Sequence, residues 1–257
     1  MPPRRPVLPP AAPVPGPPRR RRESARARAA RAAEINARLG DAYPGSATEL
    51  CALVHANPFE LLVATILSAQ CTDERVNMVT PALFSRYPTP EDLAAADPSA
   101  LEELVRPTGF FRAKSASLIG MASGLRDRFS SVVPTALEDL VTLPGVGRKT
   151  GNVVRSVAFS LPGLPVDTHV RRVSGRLGLS ASEDPERIEG DLCALLPEES
   201  WGAISLRLIL HGRQVCVARR PRCGACVLAD LCPSALPDAA GAATDSGQRA
   251  RRSAVLE

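Results

Sequence analysis

"LPGVGRKTGNVV", residues 143–154, decides how this chain reads. Two glycines around one apolar residue allow a tight turn whose amides point outward. The pattern of "ALEDLVTL" predicts a short helix over 136–142 before the turn, and residues 148–159 predict another after it. The start of that second helix adds unpaired N–H groups and a positive dipole end. Together they form a small anion cradle suited to one phosphate of a nucleic-acid backbone. The spacing G-x4-G-K-[ST] of a P-loop is absent. P-G-x-G by itself also fits a plain corner between two helices.

The lysine in this stretch is unusual for the chain. Of 32 basic residues 30 are arginine, and only Lys114 and Lys149 are lysine. Arginine would supply positive charge equally well, so Lys149 directly after Arg148 points to chemistry that a guanidinium cannot do. A neutral lysine amine attacks an electrophilic sugar carbon and forms Schiff bases, whereas a guanidinium stays protonated. Eighteen residues on, in "PVDTHVRRV", Asp167 stands where a helix N-cap is expected. Capping is the commonest meaning of such an aspartate. A carboxylate that also reaches the lysine would hold a proton or stabilise positive charge developing on a sugar.

At 257 residues the chain can form one large or two small domains with a self-sufficient core, and no apolar run approaches a membrane span. The net charge of +5 is concentrated at one end. Residues 1–34 hold nine arginines and two glutamates, leaving −2 for the rest, so any anion-binding face there must be local. Nine prolines in residues 1–18, then "RRRR", predict a disordered basic arm over 1–22. That arm is either a solvated tail or a nucleic-acid tether. It lacks the apolar block of a secretory signal, and its proline density opposes an amphipathic transit helix. A second disordered tail is expected over 236–257. Cytoplasmic action on nucleic acid follows, with mitochondrial or nuclear targeting by the arm as the alternative.

Between the tails the pattern is helical, and the expected class is all-α. In "NPFELLVATILSAQ" Asn57 can cap, Pro58 fits the first helical position, and Glu60 completes a capping box. Phe59, Leu62, Val63, Ile66 and Leu67 then fall on one face. Further helices are expected over 24–39, 73–86, 90–95, 98–105, 112–128, 168–176, 184–195 and 200–212. No period-2 run marks a strand.

Of seven cysteines, Cys51, Cys71 and Cys193 are scattered and read as small buried hydrophobes. The other four, Cys216, Cys223, Cys226 and Cys232, are spaced C-x6-C-x2-C-x5-C. Four thiolates so close can hold zinc or a cubane cluster. Structural zinc usually takes two close pairs, whereas here single cysteines flank one pair, which favours iron–sulfur. Arg219, Arg220 and Arg222 lie within this segment, either as a solvated charge run or as a phosphate-gripping surface.

Three motifs then coincide: "LPGVGRKTGNVV" with Lys149, "VDTHVRRV" with Asp167, and the four-cysteine tail. Jointly they resemble the endonuclease III family of helix–hairpin–helix DNA glycosylase/lyases. "NPFELLVATILSAQCTDERVN", "TGFFRAKS" and "LILHGRQVC" resemble the same family, so the likeness spans about 23–235.

The resemblance implies two helical domains with DNA in the cleft between them. A six-helix barrel would span 51–161, and residues 23–50 with 162–235 would form a domain carrying a [4Fe–4S] cluster. Lys149 would be the nucleophile and Asp167 the activating carboxylate, while Cys216, Cys223, Cys226 and Cys232 would be the cluster ligands. Leu143, Gly145, Val146, Gly147 and Arg148 would make the phosphate grip. Gln70 and Phe110 occupy places where the family fills the gap left by a flipped base. Phe110 stands where a leucine is expected.

The implied activity is removal of damaged pyrimidines from double-stranded DNA by a monomer. Lys149 would attack C1′, a Schiff base would form, and β-elimination would cut the strand 3′ to the abasic site. Within the superfamily, adenine- and thymine-mismatch glycosylases are the enzymatic alternatives. From another class, a non-catalytic DNA-binding module with structural zinc shares the hairpin, and iron content with abasic-site cleavage separates the two.

Overall fold

The computed structural model describes residues 23–236, so the expected arm and all but Leu236 of the expected tail lie outside the described residues. The described residues form twelve α-helices and no strand. In order they are α1 (Ala25–Ala42), α2 (Ala47–Leu50), α3 (Pro58–Leu67), α4 (Asp73–Arg86), α5 (Pro90–Ala94) and α6 (Pro98–Val105). There follow α7 (Phe111–Phe129), α8 (Leu137–Leu140), α9 (Arg148–Ala158), α10 (Thr168–Arg176), α11 (Pro185–Cys193) and α12 (Trp201–Gln214). None is long and apolar enough to cross a membrane.

Local capping explains most helix starts. Side chains of Ser24, Ser46, Asn57, Thr72, Thr89, Asp97, Asp167 and Asp184 each accept a first-turn amide of their helix. The helix α2 was not expected, though "SATE" carries its signal. Ser46 Oγ accepts from Glu49 N at 3.3 Å and Glu49 Oε2 accepts from Ser46 N at 2.7 Å, a reciprocal box. At α3 the expected box differs by one residue. Asn57 Oδ1 accepts from Glu60 N at 2.9 Å, but the Glu60 carboxylate reaches the amide of Ala56, at 2.7 Å.

The helix α3 also departs from its expected one-sided pattern, because Phe59 and every residue from Leu61 to Leu67 are buried. A helix apolar all round belongs in the middle of a core, and α3 packs against α4, α7 and α9. Its one polar core residue, Thr65, donates to Leu61 O at 2.7 Å. This first core runs from Leu53 to Val157. A second core joins Ala32, Ile35 and Leu39 of α1 to residues between Leu164 and Leu228. The chain therefore begins in one packed unit, builds the other, and returns. Helix α12 contacts α1 and α10 on one side and α2 and α9 on the other, tying the two cores together.

Cys51, Cys71 and Cys193 are half-buried rather than fully buried. They stand at or beyond the ends of α2, α3 and α11, where packing is one-sided and solvent reaches the side chain.

Candidate active site

Lys149 is the second residue of α9, in the first core's unit, and Asp167 is the residue before α10, in the second. They line the same two adjoining hollows between the units. One hollow is floored by Leu53, Val153, Leu206 and Leu210 and edged by Ser68, Asp73 and Arg213. Among the described residues the two side chains form no ion pair with each other, so the amine is not tied up. Asp167 Oδ1 accepts from the amides of His169 and Val170, both at 2.8 Å. Its Oδ2 has no hydrogen bond among the described residues. One oxygen of the carboxylate thus caps a helix, while the residue itself lines the cleft.

The hairpin before Lys149 leaves its backbone open. No side chain caps α9, and its N-cap residue is Gly147, in contrast to the eight capped helices. Gly145 sits at φ +77°, and a Cβ there would meet Ser117 Cβ at 2.7 Å, so both conformation and space require glycine. A Cβ on Gly147 would meet nothing within 4 Å; its bare face points outward beside the free amides of the helix start. Leu143 and Val146 are buried in the first core. They hold the turn in place, and only their backbone is available to a ligand.

Two ion pairs cross between the units. Arg148 is paired with Glu189 of α11 at 2.8 Å, and Arg213 of α12 with Asp73 of α4 at 2.9 Å. Neither carboxylate stands out in sequence, because nothing local links positions so far apart. Arg148 is therefore already engaged by protein. Arg219, Arg220 and Arg222 are exposed, and none has a carboxylate partner among the described residues.

Gln70 and Phe110, 40 residues apart, line one pocket together with Lys114, Ser117 and Gly145. Both are non-glycine residues in the left-handed region, at φ 53° and 47°, a conformation costing roughly 1–2 kcal/mol each. Phe110 keeps 65% of its surface exposed.

Cys216, Cys223, Cys226 and Cys232 line a single cavity walled by Val173, Leu177 and Val215. Burial, with the three other cysteines acting in the same direction, pushes the Cys226 thiol up to about 11. Ionising this set needs positive charge inside the cavity, which an iron–sulfur cluster provides. Arg176 Nη1 lies 3.3 Å from Cys216 Sγ and His211 Nε2 lies 3.3 Å from Cys226 Sγ, in position to donate to thiolate ligands. Among the described residues no three His, Cys, Asp or Glu side chains are grouped about a single-ion position. The four cysteines fit the cluster.

Residues 63–198 match the HhH-GPD superfamily of base-excision DNA repair proteins, and residues 216–232, bounded by the outer two cysteines, match the iron–sulfur binding domain of endonuclease III. The chain is 54% identical to the endonuclease III of Synechocystis over 206 residues, 80% of this chain and 93% of that one. With the Bacillus subtilis enzyme it is 44% identical over 76% of this chain and 88% of the relative. A solved non-covalent endonuclease III–DNA complex superposes with a TM-score of 0.75 at 40% identity, covering 80% of this chain and 96% of that one. A thermostable thymine-DNA glycosylase at 21% identity and TM-score 0.69 shares the fold. The chain belongs to the endonuclease III family of [4Fe–4S] DNA glycosylases with abasic-site lyase activity.

Proposed function

We propose that this protein excises oxidised or otherwise damaged pyrimidines from double-stranded DNA as a monomer, with Lys149 as nucleophile and Asp167 as its partner carboxylate. The observation that carries the reading is their position: 18 residues apart and in different packed units, they face one cleft. The damaged nucleotide enters the hollow between the units, and the Lys149 amine adds to C1′ as the bond to the base breaks. Asp167, through its free oxygen, stabilises positive charge developing on the sugar and handles protons at the amine. Opening of the sugar ring leaves an imine on Lys149. Removal of a C2′ proton then expels the 3′ phosphate and cuts the strand.

The other side chains bind and orient. The open amides of α9 and the bare face of Gly147 receive a backbone phosphate, and Arg219, Arg220 and Arg222 grip further along. Gln70 and Phe110 fill the space vacated by the extruded base. The cluster, held by Cys216, Cys223, Cys226 and Cys232, supplies cationic iron that cross-links the arginine-bearing loop. The absence of an apolar span among the described helices and the bacterial relatives support action in the cytoplasm, at the chromosome. The test is a panel of duplexes carrying single oxidised pyrimidines, mismatched thymine or adenine, or an abasic site, scored separately for base release and strand cleavage. Oxidised pyrimidines are expected to give both signals. Release confined to a mismatched base would replace this substrate class.

A further inference from the structure

Lys114, the chain's other lysine, is 5% exposed and makes two hydrogen bonds that no mechanism above uses. Its Nζ donates to Leu67 O at 2.7 Å and to Thr108 O at 2.8 Å. Leu67 is the last residue of α3, three positions before Gln70. Thr108 ends a 3-10 turn, two positions before Phe110, and Gly109 between them is at φ 70°. Each carbonyl is the root of a segment that carries one of the two left-handed, exposed residues. The lysine side chain lines the pocket between them.

A buried ammonium is an expensive way to join two loops if holding the core together were the only need. Burial alone pushes Lys114 below the ordinary lysine range, and an apolar residue of similar volume often serves a core equally well or better. What an apolar residue cannot do is fix two carbonyl oxygens about one nitrogen, at a set separation. That separation sets how far apart Gln70 and Phe110 stand over the DNA. We infer that Lys114 is a positioning residue for base extrusion, coupling the two inserting segments through their root carbonyls. The inference rests on the proposed insertion role of Gln70 and Phe110.

The experiment compares single-turnover cleavage of one abasic site in duplex DNA and in the same strand without its complement. A single strand has no stack to open and no orphaned base to hold. The duplex-to-single-strand ratio therefore isolates insertion, and it cancels any loss of active protein. Wild type, Lys114→Met, a double variant with Gln70→Ala and Phe110→Ala, and the triple variant form a cycle. Lys114→Met should lower the ratio by about tenfold or more, the effect of losing buried hydrogen bonds at one point. In the triple variant the lysine change should lower it no further, because there is nothing left to position. Lys114→Gln keeps an NH2 donor group on a shorter, neutral side chain and should fall between wild type and Lys114→Met.

An unchanged ratio for Lys114→Met, or an effect fully additive with the double variant, would overturn the inference alone. Equal losses on duplex and single strand, or no activity on either with both lysine variants, would assign Lys114 to the scaffold instead. If the Gln70→Ala and Phe110→Ala variant keeps the wild-type ratio, the insertion role itself fails, and the inference with it.

Discussion

Arg148 donates from Nε and Nη2 to the two carboxylate oxygens of Glu189, each at 2.8 Å. The guanidinium beside Lys149 is thus held by α11 of the other packed unit rather than by the hairpin. With the arginine side chain 47% exposed and that of Glu189 13% exposed, such a pair is worth about 1 kcal/mol, weak enough to exchange for a phosphate. Glu189→Gln should free the arginine, steepening the slope of log K against log salt by about one and leaving thermal stability nearly unchanged. Anisotropy titrations with duplex DNA at several salt concentrations measure it. An unchanged slope would show that this pair does not control phosphate contact.

Lys149→Arg keeps the charge and loses the amine. Borohydride added during turnover on abasic-site DNA should trap a covalent adduct with the wild type and none with this variant, while DNA affinity stays similar because the hairpin amides remain. Asp167→Asn should still cap α10, since an asparagine oxygen accepts the same two amides, yet turn over more slowly by about 10² or more. Efficient trapping by Lys149→Arg would move the nucleophile elsewhere.

The two hairpin glycines should separate binding from folding. Gly147→Ala places a methyl in open space, so its stability cost should be about 1 kcal/mol or less. DNA affinity should nonetheless fall by about tenfold, as the methyl stands where a phosphate approaches the amides. Gly145→Ala meets Ser117 and a left-handed backbone, and should cost about 2 kcal/mol or more in stability. Denaturant midpoints and DNA titrations on both variants distinguish these outcomes. Equal affinity for Gly147→Ala and wild type would remove the phosphate from this hairpin.

Replacing one cluster ligand tests the cysteine cavity. The wild type should be yellow-brown with absorbance near ~400 nm, and Cys226→Ser should lose iron and stability together, since ligand loss removes folding free energy. Arg172 donates to Cys216 O at 3.2 Å and Arg176 to Val217 O at 2.8 Å. These bonds tie α10 to the cysteine loop, so loosening the loop should also disturb the helix that Asp167 starts. Stoichiometric zinc without iron after anaerobic purification would overturn the cluster.

Much of this molecule is local and was legible in the chain itself. Helix starts follow from caps such as Thr72, Asp97 and Asp184, whose partners lie three residues away. The glycine hairpin, the lysine after it, the capping aspartate and the four-cysteine segment are equally matters of short spacing and residue type. Other features depend on residues brought together from distant positions. That Lys149 and Asp167 face one cleft, that Arg148 meets Glu189 across 41 residues, and that Lys114 joins carbonyls at Leu67 and Thr108 are outcomes of packing. The same holds for α3, whose one-sided pattern in sequence becomes burial on every face once α4, α7 and α9 surround it. Periodicity and capping chemistry act over a single turn and specify the elements; which polar groups meet is decided only when the two cores close and exclude water between them.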